Sequence, residues 1–321
     1  MTDELTRIGD ELGGLDHVQG PGGNASVKDG DALVVKASGV RLRDLADPAS
    51  RARVPLARVL EALDGDAAAE REVNAAQPRP SLEAYFHALG PRVVAHTHPL
   101  GALLVACASG REVPSVAGAR VVEVGYARPG RPLALLVRDA LGTVGGATLV
   151  LLRAHGLIAY ADSAAAAIVL TRAFDDACRA RFGEATSVGE RVARYRQQEA
   201  RAVTGGLALP LPGRARSDGA LFPDAAVFCP EVAVASLGAL DEVASQALSL
   251  APRSAVLTDG ERRALVAPSS RALDYALEVL AAHEVLAEAL GGDAAPLPDD
   301  EARAVASMPS ELHRLARAAS A

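Results

Sequence analysis

The sequence predicts an α/β protein built as two lobes, and three observations carry that reading. Apolar runs of strand length, Arg92-Val93-Val94-Ala95-His96-Thr97-His98 and Ala147-Thr148-Leu149-Val150-Leu151-Leu152, alternate with stretches of helical spacing such as Ser163 to Phe182. The chain has 321 residues, 50% hydrophobic and 23% charged, which exceeds one typical domain and supplies ample core. Between residues 183 and 220 sustained periodicity lapses amid Gly205-Gly206, Pro210 and Pro212-Gly213, apart from a short helix near Val188 to Thr204, so this stretch reads as a connection.

Taken in order, residues 1–18 read as a short helix and Gln19 to Gly23 as a turn exposing backbone amides. Asp29-Gly30 marks a hairpin between the strands 25–28 and 32–36. Leu56 to Leu63 is helical, and the Ala/Glu-rich stretch 64–79 is expected as a mobile loop. Ser81 is expected to cap a helix whose face carries Leu82, Tyr85, Phe86 and Leu89, with Glu83 in its first turn and Pro91 ending it. A helix from Leu100 to Ala108 follows, then a strand around Val121. The segment Leu133 to Leu141 reads equally as strand or helix. Beyond the connection, 225–228, 254–257 and 263–266 are strand candidates, with helices over 240–250 and 273–290 and a helical tail over 298–321. No GxGxxG or P-loop occurs in this second lobe, so a nucleotide cofactor has no support there.

Composition narrows the function. A net charge of −7 with scattered arginines lacks the basic footprint that nucleic-acid binding needs. No apolar stretch reaches the ~20 residues of a membrane span, and the N-terminus has no basic segment leading into an apolar one, so a cytoplasmic location is expected. Cys107, Cys178 and Cys229 are isolated, without CxxC spacing, and read as buried free thiols.

The most informative constellation is His96-Thr97-His98 with His155, 57 residues beyond His98, since only seven histidines occur in the chain. Side chains at i and i+2 project from one face of a strand, close enough to share an ion. Alone, a His-x-His pair is more often hydrogen-bonded histidines than ligands. The third histidine, just after a buried apolar run, shifts the balance toward a three-nitrogen site with an open position, the arrangement of catalytic zinc.

Five motifs add a family. Gly22-Gly23-Asn24-Ala25-Ser26, Lys36-Ala37-Ser38-Gly39, Arg79-Pro80-Ser81-Leu82-Glu83, His96-Thr97-His98 with His155-Gly156, and Tyr126-Ala127-Arg128-Pro129-Gly130 stand in the order found in the class II aldolase/adducin superfamily. Over residues 5–185 the chain resembles that superfamily, and its wording is most similar to the rhamnulose-1-phosphate aldolase-like branch. The resemblance implies a three-layer fold with a central, mostly antiparallel sheet between helices, in a catalytic domain over 1–204. A linker over 205–222 and a small α/β lobe over 223–321 complete the expected chain.

The resemblance also implies chemistry. Zn2+, with Fe2+ or Mn2+ as other possible occupants, is held by His96, His98 and His155; Glu83 transfers the proton next to a carbonyl; Tyr126 exchanges a proton with the aldehyde-side oxygen, often across a subunit boundary. Asn24, Ser38, Gly39 and Ser81 match substrate-phosphate positions, although Leu82 stands where a second serine is known in the fuculose-phosphate type. From the residues alone Glu83 reads sooner as a helix-start carboxylate than as a proton-transfer group, and Asn24, Ser38 and Ser81 are equally turn or cap residues. His87 reads as a surface or supporting residue, and Lys28 and Lys36 as solvated. Arg153-Ala154 replaces an asparagine that many relatives carry before His-Gly. The implied activity is cleavage or formation of a ketose phosphate or related hydroxy-ketone through a metal-stabilised enediolate. A 4-epimerase, a dehydratase, an iron-dependent oxygenase and a non-catalytic adducin-like scaffold are the rivals. Partners are a small-molecule substrate and further copies of the chain, in fours in the family's aldolases.

Overall fold

Asp3 opens the structure by accepting from the backbone of Thr6 at 2.8 Å, capping helix α1 (Glu4–Leu12), which buries Leu5, Ile8 and Leu12. In this computed structural model, which describes residues 3–142, 146–182, 187–213 and 219–320, the chain divides into the units Met1–Glu184 and Ala185–Ala321. The expected hairpin is present as β1 (Asn24–Asp29) and β2 (Ala32–Lys36), paired from Ser26↔Val35 to Asp29↔Ala32. An edge strand not anticipated, β3 (Arg51–Pro55), follows the period-2 rule, with Ala52 and Val54 buried and Arg53 exposed.

After α2 (Leu56–Asp64) the stretch expected as a mobile loop is instead helical over α3 (Ala67–Ala75). The Asp66 carboxylate accepts from the amides of Ala68 and Ala69 at 2.7 and 3.0 Å, and Ala69 and Val73 are buried. A good cap and two small anchors sufficed where an apolar stripe was lacking. The helix expected after Ser81 is a single turn, α4 (Ala84–His87), with Glu83 at its N-cap position. Ser81 is a turn residue, its Oγ accepting from the Glu83 amide at 3.3 Å. Next come β4 (Val93–Thr97), α5 (Leu100–Ala106), β5 (Arg120–Val124) and α6 (Arg131–Leu141). Helix is therefore the form taken at 133–141, with Leu133, Ala134, Val137 and Leu141 buried at helical spacing. The first unit ends with β6 (Thr148–Leu152), β7 (Gly156–Ala161) and α7 (Ala164–Arg179), the last capped by Ser163.

The seven strands lie in the order β3-β2-β1-β4-β7-β6-β5, antiparallel throughout except for the parallel pair β5–β6. Alternation sorts their side chains into two cores. Val93 and Ala95 with Leu149 and Leu151 pack with α1, α5 and α7, while Val94, Val150, Ile158 and Tyr160 pack with α2, α4 and α6. This is the expected three-layer α/β arrangement. His96 has the parity of Val94.

The second unit begins earlier than expected, at residue 185 instead of after a linker over 205–222. Residues 183–186 and 214–218 of the anticipated connection lie outside the described residues. After α8 (Val188–Tyr195), β8 (Arg201–Val203) and β9 (Gly206–Leu211) form a hairpin whose turn contains Gly205. Pro210 is tolerated because β8 has already ended beside it. The strand expected at 225–228 is helix α9 (Pro223–Phe228), with proline and Asp224 in its first turn. The unit continues with β10 (Glu231–Ala233), α10 (Leu240–Leu250), β11 (Ala255–Thr258), β12 (Arg263–Ala267), α11 (Ser270–Leu290), α12 (Asp299–Ala306) and α13 (Pro309–Ala319). Its strands run β10-β11-β12-β9-β8. The three cysteines are free and buried, and burial pushes the Cys107 and Cys178 thiols up to about 12. Among the described residues no helix is long and apolar enough to cross a membrane.

Candidate metal centre

Three backbone devices bring the histidines together. His96 lies on β4, a fully buried strand, paired with Asn24 of β1 on one side and Ile158 of β7 on the other. His98 follows the end of that strand, where its amide donates to the His17 carbonyl at 2.8 Å and fixes the exit of the chain. His155 stands in the three-residue connection between β6 and β7, whose ends pair as Leu152↔Gly156. Its neighbour Ala154 has a φ of 49°, a left-handed conformation that asparagine or glycine adopts more readily, so the missing family asparagine coincides with a strained turn.

The histidine ligand atoms all lie within 4.8 Å of one another, and the three residues are buried. His96 and His98 bring their Nε2 atoms to 3.2 Å. The His96 Nδ1–H donates to the Leu157 carbonyl at 3.1 Å, which leaves the Nε2 lone pair facing its companions. Glu83, 6% exposed, completes the cluster, with Oε1 3.3 Å from His155 Nε2 and Oε2 3.5 Å from His96 Nε2. Nitrogen or oxygen donors around a tetrahedral ion with bonds of about 2.05 Å stand about 3.3–3.4 Å apart. Three of these spacings, 3.2, 3.3 and 3.5 Å, lie near that edge length, so the donor set suits a small divalent ion with the carboxylate at or beside the fourth position.

Glycine at 156 is part of this packing. A Cβ there would sit 2.6 Å from the Thr97 carbonyl oxygen, 2.8 Å from His98 Cδ2 and 3.3 Å from His96 Cε1. Only hydrogen leaves room for the two imidazoles.

The residues around Glu83 are equally built in. The bridge Ala37↔Pro80, with Ser38 N donating to Arg79 O at 2.8 Å and Ser81 N to Lys36 O at 3.0 Å, docks the Glu83 segment against the end of β2. Asn24 Nδ2 donates to Glu83 Oε2 at 2.8 Å and to Ser81 Oγ at 3.2 Å. Asn24, Ser81 and Glu83 are thus assembled beside the histidines, and Ser38 and Gly39 sit on the adjoining loop. Tyr126 lies half-buried in the loop between β5 and α6.

The profile of the Class II Aldolase and Adducin N-terminal domain matches this sequence over residues 3–182. The chain belongs to the class II aldolase and adducin family. A protein of Bacillus subtilis (strain 168) named as the uncharacterized oxidoreductase YuxG is 30% identical over 129 residues, a match that takes in 39% of this chain and 18% of that protein. The chain thus spans less than a fifth of that relative. Among solved structures, the N-terminal class II aldolase domain of a conserved protein from Thermoplasma acidophilum is similar at 25% identity and a TM-score of 0.46, covering 55% of this chain and 91% of its own. The L-fuculose-1-phosphate aldolase of Thermus thermophilus is similar at 20% identity and a TM-score of 0.38, covering 55% and 89%.

Within this class II aldolase unit three further residues bear on the site, His87, Lys36 and Lys28. His87, read as a surface or supporting residue, is fully buried and its Nε2 bonds Asn24 Oδ1, with Nδ1 2.8 Å from Ser26 Oγ. Burial holds its imidazole neutral, well below the usual range, and the neighbouring His96, Lys28 and Lys36 act in the same sense. Lys36, expected to be solvated, is buried, donating to Pro21 O at 3.0 Å and Val40 O at 2.6 Å, which ties together the two glycine-containing loops. Lys28 donates to the carbonyls of Leu89 at 2.8 Å and Pro91 at 3.1 Å and also to Gly90, holding the chain after α4, and burial brings its pKa down to about 8. The spacing Glu83 to His87 was the available signal, but it conveys a partnership only once β1 lies beside both.

Proposed function

We propose that this unit is a zinc-dependent aldolase of the class II type, acting on a ketose 1-phosphate or a related hydroxy-ketone. The observation that carries the proposal is the carboxylate of Glu83 set against two imidazole nitrogens at 3.3 and 3.5 Å and held by Asn24. His96, His98 and His155 would hold the ion. A divalent ion bound there supplies Lewis-acid polarisation of a substrate carbonyl and stabilisation of the charge that develops on its oxygen.

Glu83 is the proton-transfer group. In the synthetic direction its carboxylate removes the proton on the carbon next to the carbonyl; in cleavage it returns that proton to the enediolate and releases the ketone half. Burial beside the imidazoles keeps bulk water from competing for that proton. Asn24, donating to Oε2, orients the carboxylate. Tyr126 serves the aldehyde-side oxygen: as the phenol it donates its proton there in the synthetic direction, and as the phenolate it takes that proton back when the carbon–carbon bond breaks; in this reading a neighbouring subunit supplies it in a homo-oligomer. Asn24, Ser38, Gly39 and Ser81 form the anion end of the substrate site, where the Ser38 and Ser81 hydroxyls are the groups that would donate to the anion, the amides of both serines being bonded to carbonyls.

The test is a panel of ketose 1-phosphates and unphosphorylated hydroxy-ketones, read for aldehyde release with and without prior chelation. Aldehyde release that disappears on chelation and returns with Zn2+ supports the proposal. An epimerised ketose with no aldehyde released would replace it with the epimerase reading, and turnover unaffected by chelation would overturn metal dependence.

A further inference from the structure

We infer that His87 is a positioning residue for Glu83, acting through Asn24, an inference that rests on the proton-transfer role proposed above for Glu83. The argument is one of donors and acceptors. An ionised carboxylate only accepts hydrogen bonds, so the side of the Asn24 amide that faces Glu83 must be its NH2 group, 2.8 Å from Oε2. The Asn24 Oδ1 then faces His87 Nε2, and the pair can bond only if that nitrogen carries the proton. In a neutral ring Nδ1 is left as the acceptor, and the Ser26 hydroxyl, 2.8 Å away, donates to it. Each assignment forces the next, and the chain runs Ser26 to His87 to Asn24 to Glu83.

Turned over, the Asn24 amide would aim its carbonyl oxygen at the carboxylate. With its proton on Nε2, His87 opposes that state, because Nε2–H would then face an NH2 group; the turned amide needs the other tautomer, with Nδ1–H donating to Ser26. The imidazole is itself fixed. It stacks on Phe86 with ring centroids 4.8 Å apart, and Tyr160 of β7 donates to the Phe86 carbonyl at 2.9 Å. Ser26 and Asn24 sit on one face of β1, two residues apart, so the strand sets the spacing of the two groups that His87 bridges. A ring with no ligand role and no exposure is placed to hold one amide in one orientation.

The experiment is a double-mutant cycle on the full chain using Asn24→Ala and His87→Leu. The readout is solvent-deuterium incorporation into dihydroxyacetone phosphate and dihydroxyacetone, with bound metal measured on every sample. His87→Leu should keep its metal and lower the turnover rate of exchange about 10–100-fold with little change in KM, the size usual for losing a supporting hydrogen bond. In the Asn24→Ala background the same substitution should have almost no effect. Equal losses in both backgrounds, or wild-type exchange in His87→Leu, would overturn the inference. Should His87→Leu fail to fold, Ser26→Ala tests the same chain and His87→Gln, which retains a donor, should recover part of the rate. The imidazole tautomer is read independently by 15N NMR of the wild-type protein: Nε2–H at His87 is expected, and Nδ1–H overturns the inference. A wild-type protein that exchanges neither probe defeats the proton-transfer reading instead, and the tautomer still decides the hydrogen-bond chain.

Discussion

Replacing Gly156 with alanine isolates the packing that holds the metal ligands. The backbone there is outside the left-handed region, so the substitution carries no conformational penalty and acts only through the added methyl group. Ordinary contact needs about 3.5 Å, so a Cβ found 2.6 Å from Thr97 O and 2.8 Å from His98 Cδ2 falls short by about 0.9 and about 0.7 Å. The Thr97 carbonyl belongs to the β4–β7 pairing and yields little, leaving the His98 ring as the group that must move. Metal–nitrogen bonds tolerate about 0.2 Å, so a ligand displaced by about 0.7 Å no longer serves its ion well. The expected result is a loss of about 1–3 kcal/mol in stability of the metal-free protein from overpacking. A fall in Zn2+ affinity of at least about 10–100-fold should accompany it. Competition against a chromogenic chelator measures the affinity, and urea unfolding measures the stability. Gly14→Ala, where an added Cβ meets nothing within 4 Å, is the control. Wild-type Zn2+ affinity in Gly156→Ala would refute the claim that the three histidines share one ion.

Three further outcomes are expected. Ala154→Gly relieves about 1 kcal/mol of left-handed strain, partly offset by a freer unfolded chain, so the urea midpoint should rise slightly; a fall of more than about 1 kcal/mol would contradict the turn geometry. Since burial holds His87 neutral in the fold, the unfolded chain alone takes up that proton below pH 6.5, and stability should fall with acidification by up to about 1.4 kcal/mol per pH unit. His87→Gln should flatten that slope between pH 6.5 and 5, and an unchanged slope would place the uptake elsewhere. Mixing inactive Tyr126→Phe chains with inactive His96→Ala chains under conditions of subunit exchange should restore part of the activity, and a fully active monomer by light scattering rules out the shared site.

In the first unit the hairpin and the paired ligands were legible because their signals are local. Asp29-Gly30 between two apolar runs gives the hairpin, and the His96/His98 spacing on an apolar strand gives two ligands of one ion. What the sequence concealed depended on partners far along the chain or on weak local patterns. The run Ala225 to Phe228 is apolar and four residues long, which suits strand or buried helix equally, and the proline and Asp224 ahead of it were the deciding cues. Residues 206–211 resembled a linker because glycine and proline punctuate them, yet they pair on both sides in a sheet. At the site, Asn24 and Glu83 are 59 residues apart, and their bond exists only because β1 lies between β2 and β4. Lys36 was misjudged, and His87 was left open between surface and support, for the same reason: a polar residue reads as solvated until the backbone that buries and satisfies it is known.

The central claim is that three histidines and Glu83 form one metal-dependent proton-transfer centre. It is tested most directly by deuterium exchange into dihydroxyacetone phosphate and dihydroxyacetone, with metal content determined on the same samples of wild type, Glu83→Gln and His96→Ala/His98→Ala. The account predicts about one divalent ion per chain and exchange in the wild type, an ion without exchange in Glu83→Gln, and neither in the double histidine variant. Undiminished exchange in Glu83→Gln, or full metal occupancy after loss of both histidines, would contradict it.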